Sequence, residues 1–409
     1  MCYQMRRGSV YFGGCSVTTI QREIEPAITL SAGPVGVYPR VLRAMSRPVQ
    51  YDFDPYFQEF YEIVNQKVSK ALRIDYPALI LHCEPAPGIE AAAASLISKN
   101  DIVLNLVSGV YGKGFGYWSA RYNKELIEVE VPYNEAIAPE QVAAAFAQRK
   151  DIGIVAVVHH DTPSGTVNPL REIGEIVRAN DALLLVDAVS SWGGMNIHPE
   201  DCCADIFITG PSKCLGGAPG LTIMGVSERA WKHIENNPDA PFASALSLSD
   251  WKNAWQHDQP FPFTPSVAEM NGLDAAVDNY LDEGPENVWA RHAKTARACR
   301  SGIQAMGCEL WAANESIAAD TTTAVRIPGG VEDETLRKAV RSLFGVTFSS
   351  GRNETLGKLL RIGHMGLVAQ PIYALVAVTA LGGALNHLGH KVDTAAGVEA
   401  ATAEITKGS

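Results

Sequence analysis

Short apolar runs recur through the first half of the chain at spacings that leave room for a helix between most of them. They are Ala78–Leu81, Ile102–Val107, Leu126–Val131, Ile152–Val158, Leu183–Asp187 and Ile206–Thr209. Runs of this length suit buried strands, whereas the stretches between them favour helices: VNQKVSKALRI (Val64–Ile74) carries helical periodicity and GIEAAAASLI (Gly88–Ile97) is rich in helix formers. Buried strands alternating with helices imply an α/β fold, with a mostly parallel sheet covered on both faces. Ligands of such sheets bind outside the carboxyl ends of the strands. The segments expected at that edge are His82–Gly88, Ser108–Trp118, His159–Thr166, Asp187–Ser191 and Pro211–Gly220.

With 409 residues the chain exceeds what one simple core accommodates. Its character changes near residue 285, where GPENVWARHAKTARACRSGIQAMG reads as a long helix. Strands are expected around Ala324–Ile327 and Val346–Ser349, and an apolar helix near residues 371–389. The expected organisation is an arm at 27–40, a large domain at 41–285 and a smaller α+β domain at 286–409. Residues 1–26 form an extension, either disordered or upstream of an internal start, without the apolar core of a secretory leader. The apolar stretch Ile372–Leu385 is too short to span a bilayer. A net charge of −11 argues against nucleic-acid or anionic-membrane partners. Eight cysteines without a CxxC pair suggest reduced thiols in a cytoplasmic protein, and no metal site.

Asp187 closes one apolar run, and Lys213 follows 26 residues later in a glycine- and proline-punctuated loop. An acid at a strand end and a lone lysine in a tight loop suit pyridoxal chemistry: the amine condenses with the aldehyde, and the acid keeps the pyridine nitrogen protonated. Other residues in the expected loops fit the same ring. Thr162 offers a hydroxyl to the phenolic oxygen, although its segment also reads as a simple turn. Tyr111, in a glycine-spaced loop, offers a flat face or ordinary packing. Val189 offers an apolar face on the other side. Late in the chain, Arg361 lies at the end of an apolar run and Arg352 in SSGRNETLGK. Each could hold a carboxylate in a bidentate fork or make a surface ion pair, and the context favours Arg361.

DAVSSWGG, GPSK followed by APG, and RIGHMG together resemble the class V aminotransferases of fold type I, from about Ile28 to the C-terminal helix. That resemblance implies Lys213 as the Schiff-base lysine, Asp187 as partner of the ring nitrogen and Arg361 as carboxylate anchor. The segments HCEPAPGIEAAAASLIS, NLVSGVYGKGFGYW, VPYNEAI, HHDTPSGT and FSSGRNETLGKL resemble a branch that converts free pyridoxamine and pyruvate to pyridoxal and L-alanine. The branch implies Glu84, Tyr111 and Thr162 as ligands of the vitamer, and a role in vitamin B6 degradation.

The loop His82–Ile89 departs from what a phosphorylated cofactor needs. A phosphate site at a helix start uses backbone amides and hydroxyls. Here two prolines remove donors, Ser and Thr are missing, and Glu84 adds negative charge. Glu84 could instead cap the following helix. The expectation is that no separate cofactor is required, with pyridoxal or pyridoxamine bound as substrate. The alternatives are an ordinary pyridoxal-phosphate enzyme of the alanine– or serine–glyoxylate type, and a non-catalytic vitamin B6 binding protein. Thr264 resembles a position at which a neighbouring subunit supplies a hydroxyl to the phosphate, which implies a homodimer or homotetramer.

Overall fold

The computed structural model describes residues 28–254, 256 and 259–407, so the extension at 1–26 lies outside the described residues. A seven-stranded sheet carries the first core: β1 (Leu79–Leu81), β2 (Ile102–Val107), β3 (Glu125–Glu130), β4 (Ile154–Val158), β5 (Leu183–Asp187), β6 (Ile206–Thr209) and β7 (Thr222–Val226). Across the sheet the order is β1-β7-β6-β5-β4-β2-β3. The strands from β2 to β6 pair in parallel. β7 runs antiparallel to both β6 and β1.

The strand pattern read from the sequence omits β7, for a physical reason. A parallel neighbour needs a crossover of a dozen or more residues, usually a helix. The glycine-rich loop between Thr209 and Thr222 has no helix and returns the chain in the opposite direction. The central strands are buried throughout, whereas β3 at the sheet edge is partly exposed along its length. Helix starts lie earlier than periodicity suggests. The helix expected from Val64 begins at Pro55, capped by Asp54, whose Oδ1 accepts a hydrogen bond from Tyr56 N at 2.9 Å. The helix expected from Gly88 begins at Pro85. Proline at the first helical position loses only an N–H that would be unpaired anyway.

A second core gathers Leu30, Ile303, Phe348, Ile362, Val378 and Leu381. Helices Pro285–Ala305, Pro371–His387 and Thr394–Thr406 pack on one another, the first of them also on a three-stranded antiparallel sheet with Leu359–Gly363 at its centre, flanked by Thr322–Arg326 and Ser349–Ser350. The first of these helices links the two cores: Val288 packs in one and Ala298 in the other. At the N-terminal end of the described chain, Ile28–Thr29 pairs in parallel with Val346–Thr347, and Gly363 N donates to Leu30 O at 2.8 Å. That strand then leads Ser31–Pro34 back toward the large sheet. Among the described residues no helix is long and apolar enough to cross a membrane.

Candidate active site

The carboxyl ends of the parallel strands and the loop after β6 open on one edge of the sheet, and there the strap Ser31–Pro34 meets them. Asp187 ends β5, is buried, and its Oδ1 accepts from Val189 N at 2.9 Å. Burial pushes its carboxyl pKa up to about 6; the Lys213 ammonium pulls it down and the Glu84 carboxylate adds to the rise. Lys213, half-buried in the Gly210–Leu221 loop, donates from Nζ to Ala32 O at 2.8 Å. Burial holds its pKa below the ordinary lysine range, with the Arg361 guanidinium adding to the effect, while Tyr111, Cys214 and Asp187 oppose it. Gly33 has φ +118°, and a Cβ placed there would sit 2.0 Å from Nζ. Only glycine lets the strap pass so close to the amine.

Tyr111 lies in the first turn of helix Val110–Tyr122 and is half-buried. Its N–H and that of Gly112 donate to Asp161 Oδ2 at 2.7 and 3.0 Å. Asp161 is buried, which raises its pKa to about 7 against those two donors. The next residue, Thr162, is buried, and its Oγ1 accepts from Arg361 Nη1 at 3.2 Å. Arg361 lies in the strand Leu359–Gly363, buried, with Nε donating to Ser350 O at 2.8 Å. Burial holds its pKa below the ordinary arginine range. Arg352 donates from Nη1 to Tyr111 Oη at 3.5 Å, with its guanidinium carbon 5.9 Å from the ring centroid. Both arginines, drawn from the second core, therefore reach residues on the rim of the large sheet.

Glu84 is exposed and its Oε2 accepts from Ala86 N at 2.9 Å, capping helix Pro85–Leu96. The capping reading of Glu84 therefore describes its geometry, while its charge still reaches Asp187. The cap also uses up the helix start. Pro85 and Pro87 have no N–H, Ala86 N is taken by the Glu84 carboxylate, and Gly88 N bonds Glu84 O at 3.3 Å. Thr264 is exposed, two residues before Ser266, whose N–H donates to His82 Nδ1 at 2.9 Å. The Thr264 segment thus abuts the same loop.

Two contributors escape the sequence reading. Ala32 acts through a backbone carbonyl, which leaves no side-chain signal. Asp161 sits in the expected His159–Thr166 segment without being singled out. Its signal is indirect: a helix that starts on Gly109 cannot cap itself and needs an acceptor from elsewhere.

The chemistry of this donor set fits a pyridine ring bearing an aldehyde or aminomethyl group. A buried carboxylate at a strand end lies within electrostatic reach of an amine of lowered pKa, with an aromatic ring and two guanidinium groups nearby. The chain matches the family model described as Aminotransferase class-V over residues 49–368. It is 62% identical over 381 residues to the pyridoxamine–pyruvate transaminase of Mesorhizobium japonicum, covering 93% of this chain and 97% of that protein. The fold is similar to the crystal structure of pyridoxamine-pyruvate aminotransferase from Mesorhizobium loti, with a TM-score of 0.92 and 62% identity over 93% of this chain and 97% of that one. It is also similar to ureidoglycine-glyoxylate aminotransferase from Bacillus subtilis, with a TM-score of 0.85 and 29% identity over 92% and 97% of the two chains.

Proposed function

The chain belongs to the class V aminotransferases of fold type I, and from that premise we infer that it transfers the amino group of free pyridoxamine to pyruvate, yielding pyridoxal and L-alanine. Class V aminotransferases in general depend on pyridoxal phosphate. The observation that favours the free vitamer here is the helix start at Glu84–Gly88, whose backbone donors are either missing or already engaged. Glu84 adds electrostatic repulsion. A carboxylate about 4 Å from another anion costs from about 1 kcal/mol in water to about 4 kcal/mol in a partly screened site, and the exposure of Glu84 puts it toward the lower figure.

The net reaction oxidises the amine carbon to an aldehyde and reduces the keto carbon to an amine, so no outside oxidant is needed. When bound, the vitamer supplies a protonated ring that takes up electron density from the carbon losing its proton. Asp187 holds the proton on the ring nitrogen. The pairing replaces the lost solvation that raises its pKa to about 6 in the free protein. Tyr111 and Val189 flank the ring, and Thr162 turns its hydroxyl to the phenolic oxygen. Arg361, with Arg352 beside it, takes the pyruvate carboxylate. Lys213 moves the proton between the two carbons. Its lowered pKa raises the fraction present as free amine at neutral pH. Ala32 O holds that amine in place.

A homodimer or homotetramer completes the proposal. Val49, Tyr51, Phe53 and Tyr56 form an apolar segment 53–80% exposed on the single chain, and Phe263, next to Thr264, is 43% exposed. Thr264 also favours the second reading, an ordinary pyridoxal-phosphate aminotransferase, because it resembles the position from which a neighbouring subunit supplies a hydroxyl to the phosphate. One experiment separates the two. Purified protein is mixed with pyridoxamine and pyruvate, free of phosphorylated vitamers, and pyridoxal is followed. Steady formation of pyridoxal and alanine is expected, whereas turnover that appears only on adding pyridoxal phosphate would sink the proposal.

A further inference from the structure

The first turn of a helix presents N–H groups that need acceptors. Helix Val110–Tyr122 starts on Gly109, which has no side chain to supply one. The acceptor comes instead from Asp161, which follows β4 in a short hairpin, His160–Asp161 paired with Thr166–Val167. Its Oδ2 takes both Tyr111 N and Gly112 N, at 2.7 and 3.0 Å. Its Oδ1 is buried without a hydrogen-bond partner, so the bonding of this carboxylate goes to the helix start. The fit is close. A Cβ on Gly109 would lie 2.3 Å from Asp161 Cγ and 2.6 Å from each oxygen, so the carboxylate fills the space that a side chain at 109 would need. The residue whose backbone is held in this way is the one whose ring faces the site, and Thr162, bonded to Arg361, comes next in the chain.

We propose that Asp161 is a positioning residue for the vitamer: by capping the helix start across the sheet it fixes the backbone of Tyr111, and with it the ring surface against which the pyridine lies. The inference rests on the reading that Tyr111 stacks on pyridoxamine. The Asp161 carboxylate needs no contact with the vitamer; its effect passes through Tyr111. Gly109 is the complementary half of the arrangement, since only a residue without Cβ admits the carboxylate.

The test is a double-mutant cycle read by the dissociation constant of pyridoxal, from its absorbance on titration into purified protein, alongside the separate KM values for pyridoxamine and pyruvate. D161A removes both bonds to the helix start and is expected to weaken pyridoxal binding and raise the pyridoxamine KM about tenfold, since only part of their worth reaches the ring. The pyruvate KM should change by less than about threefold. D161N, which keeps an acceptor oxygen, should recover most of the loss. In a Y111A background the D161A change should add less than about twofold, because its route is gone. G109A, which displaces the carboxylate from the other side, should reproduce the D161A pattern and stands in for it if D161A does not fold. Additive losses in the cycle would overturn the inference. So would an unchanged pyridoxal affinity, or equal rises in both KM values. A wild-type protein that neither binds nor forms pyridoxal would instead overturn the functional reading beneath it.

Discussion

On the proposed function, Glu84 favours the free vitamer over its phosphate ester in two ways, by occupying Ala86 N and by its charge. Glu84→Ser keeps a capping hydroxyl and removes the charge, so affinity for pyridoxal phosphate is expected to rise about fivefold to thirtyfold, scaling with about 1–2 kcal/mol of repulsion removed. Titration of both vitamers into the variant checks it, and unchanged preference would show that the engaged amides, not the charge, set the selection. Lys213→Ala removes the amine to which the proposed function gives the proton transfer, and kcat is expected to fall on the order of 10²–10⁴-fold in stopped-flow turnover. The placement of Lys213 and Asp187 at the strand ends was legible from the sequence because a strand end and a tight loop are local signals. Asp161 was not, because its partner amides lie 50 residues away and pairing over that distance is not written in spacing. Glu84 was half legible: its chemistry was readable, but whether it caps or faces the ligand depended on the direction of the helix start.

At the scale of elements, the strap Ser31–Pro34 is the one to test. Gly33→Ala would place a methyl 2.0 Å from Lys213 Nζ on a backbone at φ +118°. The strap or the lysine must shift, and a displacement of about an ångström at the reacting group costs on the order of a hundredfold in kcat. Because Ile28–Thr29 pairs outside the site, its unfolding midpoint in urea should move far less than its rate; comparable loss of both would show that the glycine serves folding first. The parallel strands are legible by their alternation with helices, whereas β7 is not, because the short loop before it holds no crossover helix and makes it antiparallel. Helices begin at Pro55 and Pro85, earlier than periodicity and helix-former content place them, because the first turn is set by proline and its cap rather than by the apolar repeat.

For the whole molecule, pH governs stability through buried histidines. His159, His160, His198, His292 and His364 are buried, and burial pushes their pKa values down to about 4, 3, 4, 3 and 3. Below about pH 6.5 the unfolded chain protonates these imidazoles and the folded one does not, so each contributes a loss of up to about 1.4 kcal/mol per pH unit on acidification. Asp161 and Asp187 act in the opposite sense. Their folded pKa values, about 7 and about 6, exceed the unfolded value, so they favour folding below about pH 4 and lose that contribution as pH rises through the folded values. Burial also lowers His82, to about 4, and raises Glu269 and Asp320, so six histidines act against four carboxyls and the histidines prevail. The urea midpoint of the ligand-free protein is expected to fall between pH 7 and pH 5, and a rise would show that the carboxyls dominate. The strap has a different kind of consequence. Its acceptor for Lys213 belongs to the peptide backbone, and position 32 is already alanine. A scan by alanine substitution would therefore pass over it in silence and register the contact only at Gly33, so mutational tolerance at Ala32 carries no information about how much the enzyme relies on it.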